Sequence, residues 1–161
     1  MAGISDVITL ANNQLQVTTG WVQPVALGLA NAGAATYPHV IPGETWETVI
    51  AAHATFTASA VVASRGLTFD MLDGNGVVQV SIPVASPVLA STSVTAYAVV
   101  DATTALAATG VSVARFPSLL LPPGYTLRFA ATSVDIADQW SAGGLFVERY
   151  PSDSVTVLNA G

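Results

Sequence analysis

Arg115-Phe116-Pro117-Ser118-Leu119-Leu120-Leu121-Pro122-Pro123-Gly124-Tyr125-Thr126-Leu127-Arg128-Phe129 is the stretch from which the fold can be read. Pro122-Pro123-Gly124 cannot continue a helix, and proline removes a ladder donor, so a strand must stop there. Beyond the turn, Tyr125, Leu127 and Phe129 alternate with Thr126, Arg128 and Ala130, the period of two of a half-buried strand. A closing strand follows in which Leu145 and Val147 alternate with Phe146 and Glu148. This is β-sheet, with no group arranged for catalysis.

Working outward, the clearest hairpin lies upstream. Leu67, Phe69 and Met71 share one face of a strand, and Val78, Val80 and Ile82 share one face of the return strand. Between them Asp73-Gly74-Asn75-Gly76 supplies the positive-φ positions of a tight turn. In the run from Glu44, the face holding Trp46, Ile50 and Phe56 is the expected core. Ser93–Val100 is a further strand, and Asp101–Gly110 reads as a loop or as one Ala-rich helical turn. Strands at turn-punctuated intervals, with no amphipathic helix, predict an all-β fold: an antiparallel β-sandwich, jelly-roll-like, with an N-terminal arm. The expected core and turn residues are Trp46, Phe69, Asp73, Gly74, Asn75, Gly76, Pro122, Pro123, Gly124, Tyr125 and Trp140.

Residues 1–43 admit two readings. Ile4–Leu10 suits one helical turn capped by Ser5, Gln14–Thr19 a strand, and Ala30–Gly43 a linker. On the first reading the segment is an arm whose apolar residues, Ile4, Val7, Ile8, Leu10, Val25, Leu27 and Leu29, are candidate assembly contacts. On the second, Leu15–Leu29 supplies the first strands of the same sandwich, with Pro24 confining its strand to an edge. The expected division is residues 1–43 arm and linker, 44–150 sandwich, and 151–161 a C-terminal tail.

Composition narrows the function. Charged residues are 9% of the 161, against about 25% in ordinary soluble domains, and every basic residue is Arg. Interspersed charge normally keeps proteins apart, so its scarcity points to a homo-oligomer or a larger assembly. A net charge of −6 with four dispersed Arg does not suit nucleic acid, which demands clustered basic residues. Mean hydropathy is +0.59, but Ala51–Ala63 and Ala102–Leu121 are interrupted by polar residues, so no membrane span is expected. The first residues carry Asp6 and no basic run, unlike a secretory signal. With no Cys there are no disulfides or thiolate metal sites.

Nothing predicts a cofactor, a metal or a catalytic centre. Asp70, Asp73 and Asn75 miss the calcium-loop pattern because Leu72 and Gly74 interrupt it and no Glu follows. Asp135 and Asp138, with Asp101 or Glu148, could pair as acid and base, but Asp138 beside Gln139-Trp140 better suits a turn cap. His39 and His53 match no ligand spacing. Trp21, Trp46 and Trp140 suit a core better than a sugar-binding face.

A resemblance also bears on role. The apolar run, Leu121-Pro122-Pro123-Gly124-Tyr125, the alternating strand, Asp138-Gln139-Trp140-Ser141 and a last strand ending in Glu148-Arg149 resemble small virion structural proteins of tailed bacteriophages over residues 65–150. The resemblance implies a non-enzymatic β-sandwich on the head or head–tail region, most simply a head decoration or minor capsid protein that stabilises the shell. It implies a homo-oligomer, a trimer at three-fold positions, contacting the major capsid protein in a virion assembled in the host cytoplasm. The alternative is a neck, tail or fibre component acting as a carbohydrate- or receptor-binding module.

Overall fold

A computed structural model describes residues 7–10, 13–17, 20–28, 30–100, 102, 110–152 and 155–158. Its strands are β1 (Val7–Leu10), β2 (Asn13–Val17), β3 (Trp21–Ala26), β4 (Thr36–Val40), β5 (Thr45–Thr57), β6 (Arg65–Leu72), β7 (Val78–Val88), β8 (Ser93–Val100), β9 (Val111–Phe116), β10 (Leu120–Leu121), β11 (Thr126–Ala131), β12 (Gln139–Pro151) and β13 (Val155–Leu158). No described helix is long and apolar enough to cross a membrane.

The pairing is nested. β6 pairs with β7, β5 with β8, β4 with β11 and β3 with β12, all antiparallel. The chain is thus one long ribbon folded about the β6–β7 hairpin. Rolling that ribbon places its strands in two sheets, ordered β3-β12-β5-β8-β9 and β4-β11-β6-β7. This is jelly-roll wiring. β9 departs from the antiparallel rule by joining β8 in parallel, and β10 adds a short pairing to β5. β1, β2 and β13 form a separate three-stranded sheet.

One core fills the space between the two main sheets. Phe56, Trp140, Leu145 and Val147 meet Leu67, Phe69, Leu127 and Phe129 there, all buried. The Phe69 ring lies 5.1 Å from Phe116 and 4.9 Å from Phe129, both tilted or edge-on, the geometry aromatic quadrupoles favour. Trp140 packs 4.8 Å from Phe56 and 5.9 Å from Phe129. At about 25 cal/mol per Å², burying these rings dominates the stability of the sandwich.

Several sequence expectations are corrected. Thr36–Val40 is a strand rather than linker: Tyr37 is buried while Pro38 is exposed on the edge strand of its sheet, where a missing N–H is tolerated. Val7–Leu10 is a strand rather than a helical turn, and Val155–Leu158 of the expected tail pairs with β2. The buried face of β5 changes phase midway. Glu47 and Val49 point inward, then Ala52, Ala54 and Phe56 do. Phe146 pairs with Ala51 and Val147 with Val49, so Ile50 is the extra residue of a β-bulge. Trp46 consequently leaves the main core and packs with Leu120 and Tyr150 in a small second cluster. A second bulge sets Met71 opposite Val80 but Leu72 opposite Val78, and Val78 is exposed.

The two turns follow their sequence chemistry. Pro122-Pro123-Gly124-Tyr125 closes with the Tyr125 N–H donating to the Pro122 carbonyl at 3.4 Å, and Gly124 has φ +82°. That is a type II turn, which requires positive φ at its third residue. In the β6–β7 turn Gly76, at φ +79°, takes the left-handed position, and Gly74 does not. The Asp73 carboxylate accepts the N–H groups of Asn75 and Val77, both at 2.9 Å, an Asx cap in place of a calcium site. Hydrogen bonding from Val77, then from Asn75 and Gln79, holds its pKa below the ordinary value despite some desolvation. Gly124→Ala is expected to lower stability by about 1 kcal/mol or more, because a side chain is strained at that φ. Urea denaturation checks this; an unchanged midpoint would contradict it.

Candidate functional site

Arg65, Arg149 and Arg128 bind carboxylates buried within the protein. The most enclosed pair is Arg65 with Asp138, both fully buried. Arg65 Nε donates to Asp138 Oδ2 at 2.7 Å. The rest of the guanidinium donates to the carbonyls of Val61 and Ala63 and to Ser59 Oγ. Asp138 also accepts the N–H of Ser59 at 2.7 Å and of Asp135 at 2.8 Å. Burial alone would raise the Asp138 pKa, but Arg65 and the N–H donors from Ser59 and Asp135 lower it to about 2. A buried charge pair is tolerable when its hydrogen bonds are satisfied in this way.

This pair gathers one end of the sandwich. It ties the β5–β6 loop, residues 58–64, to the β11–β12 loop, residues 132–138. Ser91 of the β7–β8 turn donates its N–H to the Ser59 carbonyl at 2.8 Å, and Gly33 of the β3–β4 loop donates to the Asp138 carbonyl at 2.7 Å. Four loops are therefore fixed around one ion pair. Three of them carry exposed aliphatic residues: Val62 and Ile136 are 93% and 83% exposed, and Val61 and Leu89 more than half exposed. A cavity of about 290 Å³ opens nearby among Asn31, Thr36, Tyr37 and Pro38, and it contains no charged group.

The second pair joins two strands of the larger sheet, and His39 ties it to the other sheet. Glu47 on β5 is fully buried and accepts from Arg149 Nε on β12 at 2.5 Å and from His39 Nε2 on β4 at 2.8 Å. Desolvation pushes its carboxyl up, but His39 and Arg149 outweigh this and hold the pKa below the ordinary value. The third pair lies on the outer face of the four-stranded sheet. Asp70 accepts from Arg128 at 3.1 Å and from Ser81 Oγ at 2.7 Å.

These groups hold loops and sheets together. Among the described residues no three His, Asp or Glu side chains could share a metal ion. His53 stacks on Tyr97 at 5.8 Å on the outer face of the larger sheet.

The residues singled out from sequence are dispersed. Ile4 and Leu29 lie outside the described residues; Val7, Ile8 and Leu10 lie in β1, of whose side chains nothing is described. Val25 and Leu27 pack against the main core, so they serve the sandwich rather than a free arm. Phe69 and Trp140 are core, while Tyr125 packs against its margin. Asp73, Asn75, Gly76, Pro122, Pro123 and Gly124 stand in the two turns at the opposite end from the Arg65–Asp138 pair. Sequence reasoning missed Arg65 and Glu47 as organising residues and Val61, Val62, Leu89 and Ile136 as a patch. The one available signal was the isolated basic residue in the apolar run Ala60–Ser64 to Arg65.

No family model and no curated protein matches the chain. Among solved structures, a viral particle of infectious bursal disease virus is similar with 15% identity and a TM-score of 0.38, covering 88% of this chain and 35% of that one. The VP2 subviral particle of the same virus matches with 12% identity and a TM-score of 0.35, over 86% of this chain and 34% of that one. The CBM22-1 xylan-binding domain from Paenibacillus barcinonensis matches with 14% identity and a TM-score of 0.29, over 100% of both chains. The chain spans about a third of the length of the viral proteins. These neighbours are thus viral capsid proteins and a carbohydrate-binding module, weakly alike. At TM-scores below one half these likenesses carry no weight for function, and the jelly-roll assignment rests on the strand pairing itself.

Proposed function

We propose that this chain is a non-enzymatic structural protein of a virus particle, a head decoration or minor capsid protein of a tailed phage that binds and stabilises the shell. The observation that carries the reading is where the charge is. Charged residues are 9% of the chain, and Arg65, Arg149 and Arg128 with their partners Asp138, Glu47 and Asp70 face one another inside or across a sheet, which takes six of them out of play at the surface. A surface poor in charge suits permanent contact with neighbours. The partners are further copies of the chain, as a trimer, and the major capsid protein, in a virion assembled in the host cytoplasm.

Light scattering of the purified chain tests this. It is expected to give a mass three times that of the 16.4 kDa chain; a monomer at high micromolar concentration would count against the reading. One observation favours the second reading, a carbohydrate-binding module on a neck, tail or fibre. The His53–Tyr97 stack lies beside the hydroxyl pairs Thr55–Thr95 and Thr57–Ser93 along β5 and β8, a strip of rings and hydroxyls. Glycan-array binding abolished by Tyr97→Ala would move the assignment there.

A further inference from the structure

We propose that the loop end built on Arg65 and Asp138 is a self-association surface, where copies of this chain meet around a rotation axis through Val61, Val62, Leu89 and Ile136. The inference rests on the assembly reading above and names the surface it uses.

The first ground is exposure. Four aliphatic tips on three neighbouring loops are 51–93% exposed. Scattered surface aliphatics are ordinary, but several on adjoining loops at one end form a patch, and patches mark contact sites. The second ground is order. The Arg65–Asp138 network fixes the backbone of these loops, so little conformational entropy remains to be lost on association. Ser91 and Ser133 in the same loops hold φ of 58° and 56°, a strain that persists only where the surroundings impose it.

The third ground selects the occupant. A rotation axis brings identical patches together, so any net charge on the patch meets its own sign. Residues 27–35, 58–64, 89–92 and 132–138 contain no Lys, Arg or Glu. Their acidic groups are Asp138, neutralised by Arg65, and Asp135, whose Oδ1 accepts the Ala137 N–H at 3.0 Å. The opposite end carries exposed Glu44 and the Asp73 carboxylate. With one uncompensated carboxylate per copy against two at the opposite end, the loop end is the better suited to meet copies of itself. An anionic membrane fits less well, since the patch holds neither a basic residue nor an interfacial Trp or Tyr.

The test is light scattering and analytical ultracentrifugation of the full chain and of the variant Val62→Asp/Ile136→Asp, with Val77→Asp at the other end as control. Both sites are exposed, so melting temperatures should match that of the wild type. The double variant is expected to associate at least roughly 100-fold more weakly, because like charges meeting across a contact cost that much, while the control assembles as the wild type does. A wild-type oligomer that the double variant forms equally well would overturn the surface and leave the assembly reading standing. A wild type that stays monomeric would overturn both. Flotation of monomeric wild type with phosphatidylcholine vesicles, lost in the double variant, would reassign the patch to a lipid surface and so also overturn the proposal.

Discussion

Asp138→Ala is expected to remove about 3–5 kcal/mol of stability, the penalty for leaving a buried charge without its partner. Arg65 is fully buried, and its Nε would lose the carboxylate now 2.7 Å away. The N–H groups of Ser59 and Asp135 would lose their acceptor at the same time. Denaturant unfolding should show a lower midpoint with an unchanged slope. The double variant Arg65→Met/Asp138→Leu should recover most of the loss, because apolar residues of similar size often replace a buried pair at little cost. A single-variant loss under about 1 kcal/mol would mean that the pair is not the organiser of the loop end.

The same pair sets an acid limb of stability. The folded pKa of Asp138 is about 2 against an ordinary 3.8, so the unfolded chain binds the proton more readily. The contribution, about 2 kcal/mol, is complete above about pH 4 and is lost as the pH falls to about 2. Glu47, lowered in pKa as well, acts in the same direction. In Asp138→Ala the limb should be shallower by that amount.

The second large effect concerns the chain's first strands. A protein beginning at Ile41 should fail to fold cooperatively, whereas one beginning at Gly20 should melt as a cooperative β domain. The shorter protein lacks β3 and β4, which pair with β12 and β11. It also lacks buried Tyr37 and the His39 that donates to Glu47. The longer protein keeps both main sheets and loses β1 and β2, and with them the pairing of β13. Circular dichroism melts of the two proteins decide this. A cooperative melt from the protein beginning at Ile41 would restore a division near residue 43.

The parts legible in sequence were those where local chemistry is decisive. Pro122-Pro123-Gly124 and Asp73–Gly76 announced their turns because few residues satisfy those backbone angles. The alternation of Leu127 and Phe129 gave its strand and face. Three features were not legible. The β5 phase change depends on a bulge set by pairing with β12, and no periodicity in β5 marks Ile50. Thr36–Val40 lacks a β-branched run and contains Pro38, so its strand exists only because β11 supplies a partner. Arg65 and Asp138 lie 73 residues apart, and nothing local in a sequence reports such a convergence. Exposed Val62 and Ile136 read as ordinary apolar residues until the fold turns them outward.

Quantitative mass spectrometry of purified virions tests whether this chain is a component of the shell. The account predicts this chain in the particle at a copy number in step with the capsid lattice, in the hundreds and in a fixed ratio to the major capsid protein. Its absence from the particle would contradict the account. A few copies to a dozen would contradict the decoration role and place the protein at the neck, tail or fibre.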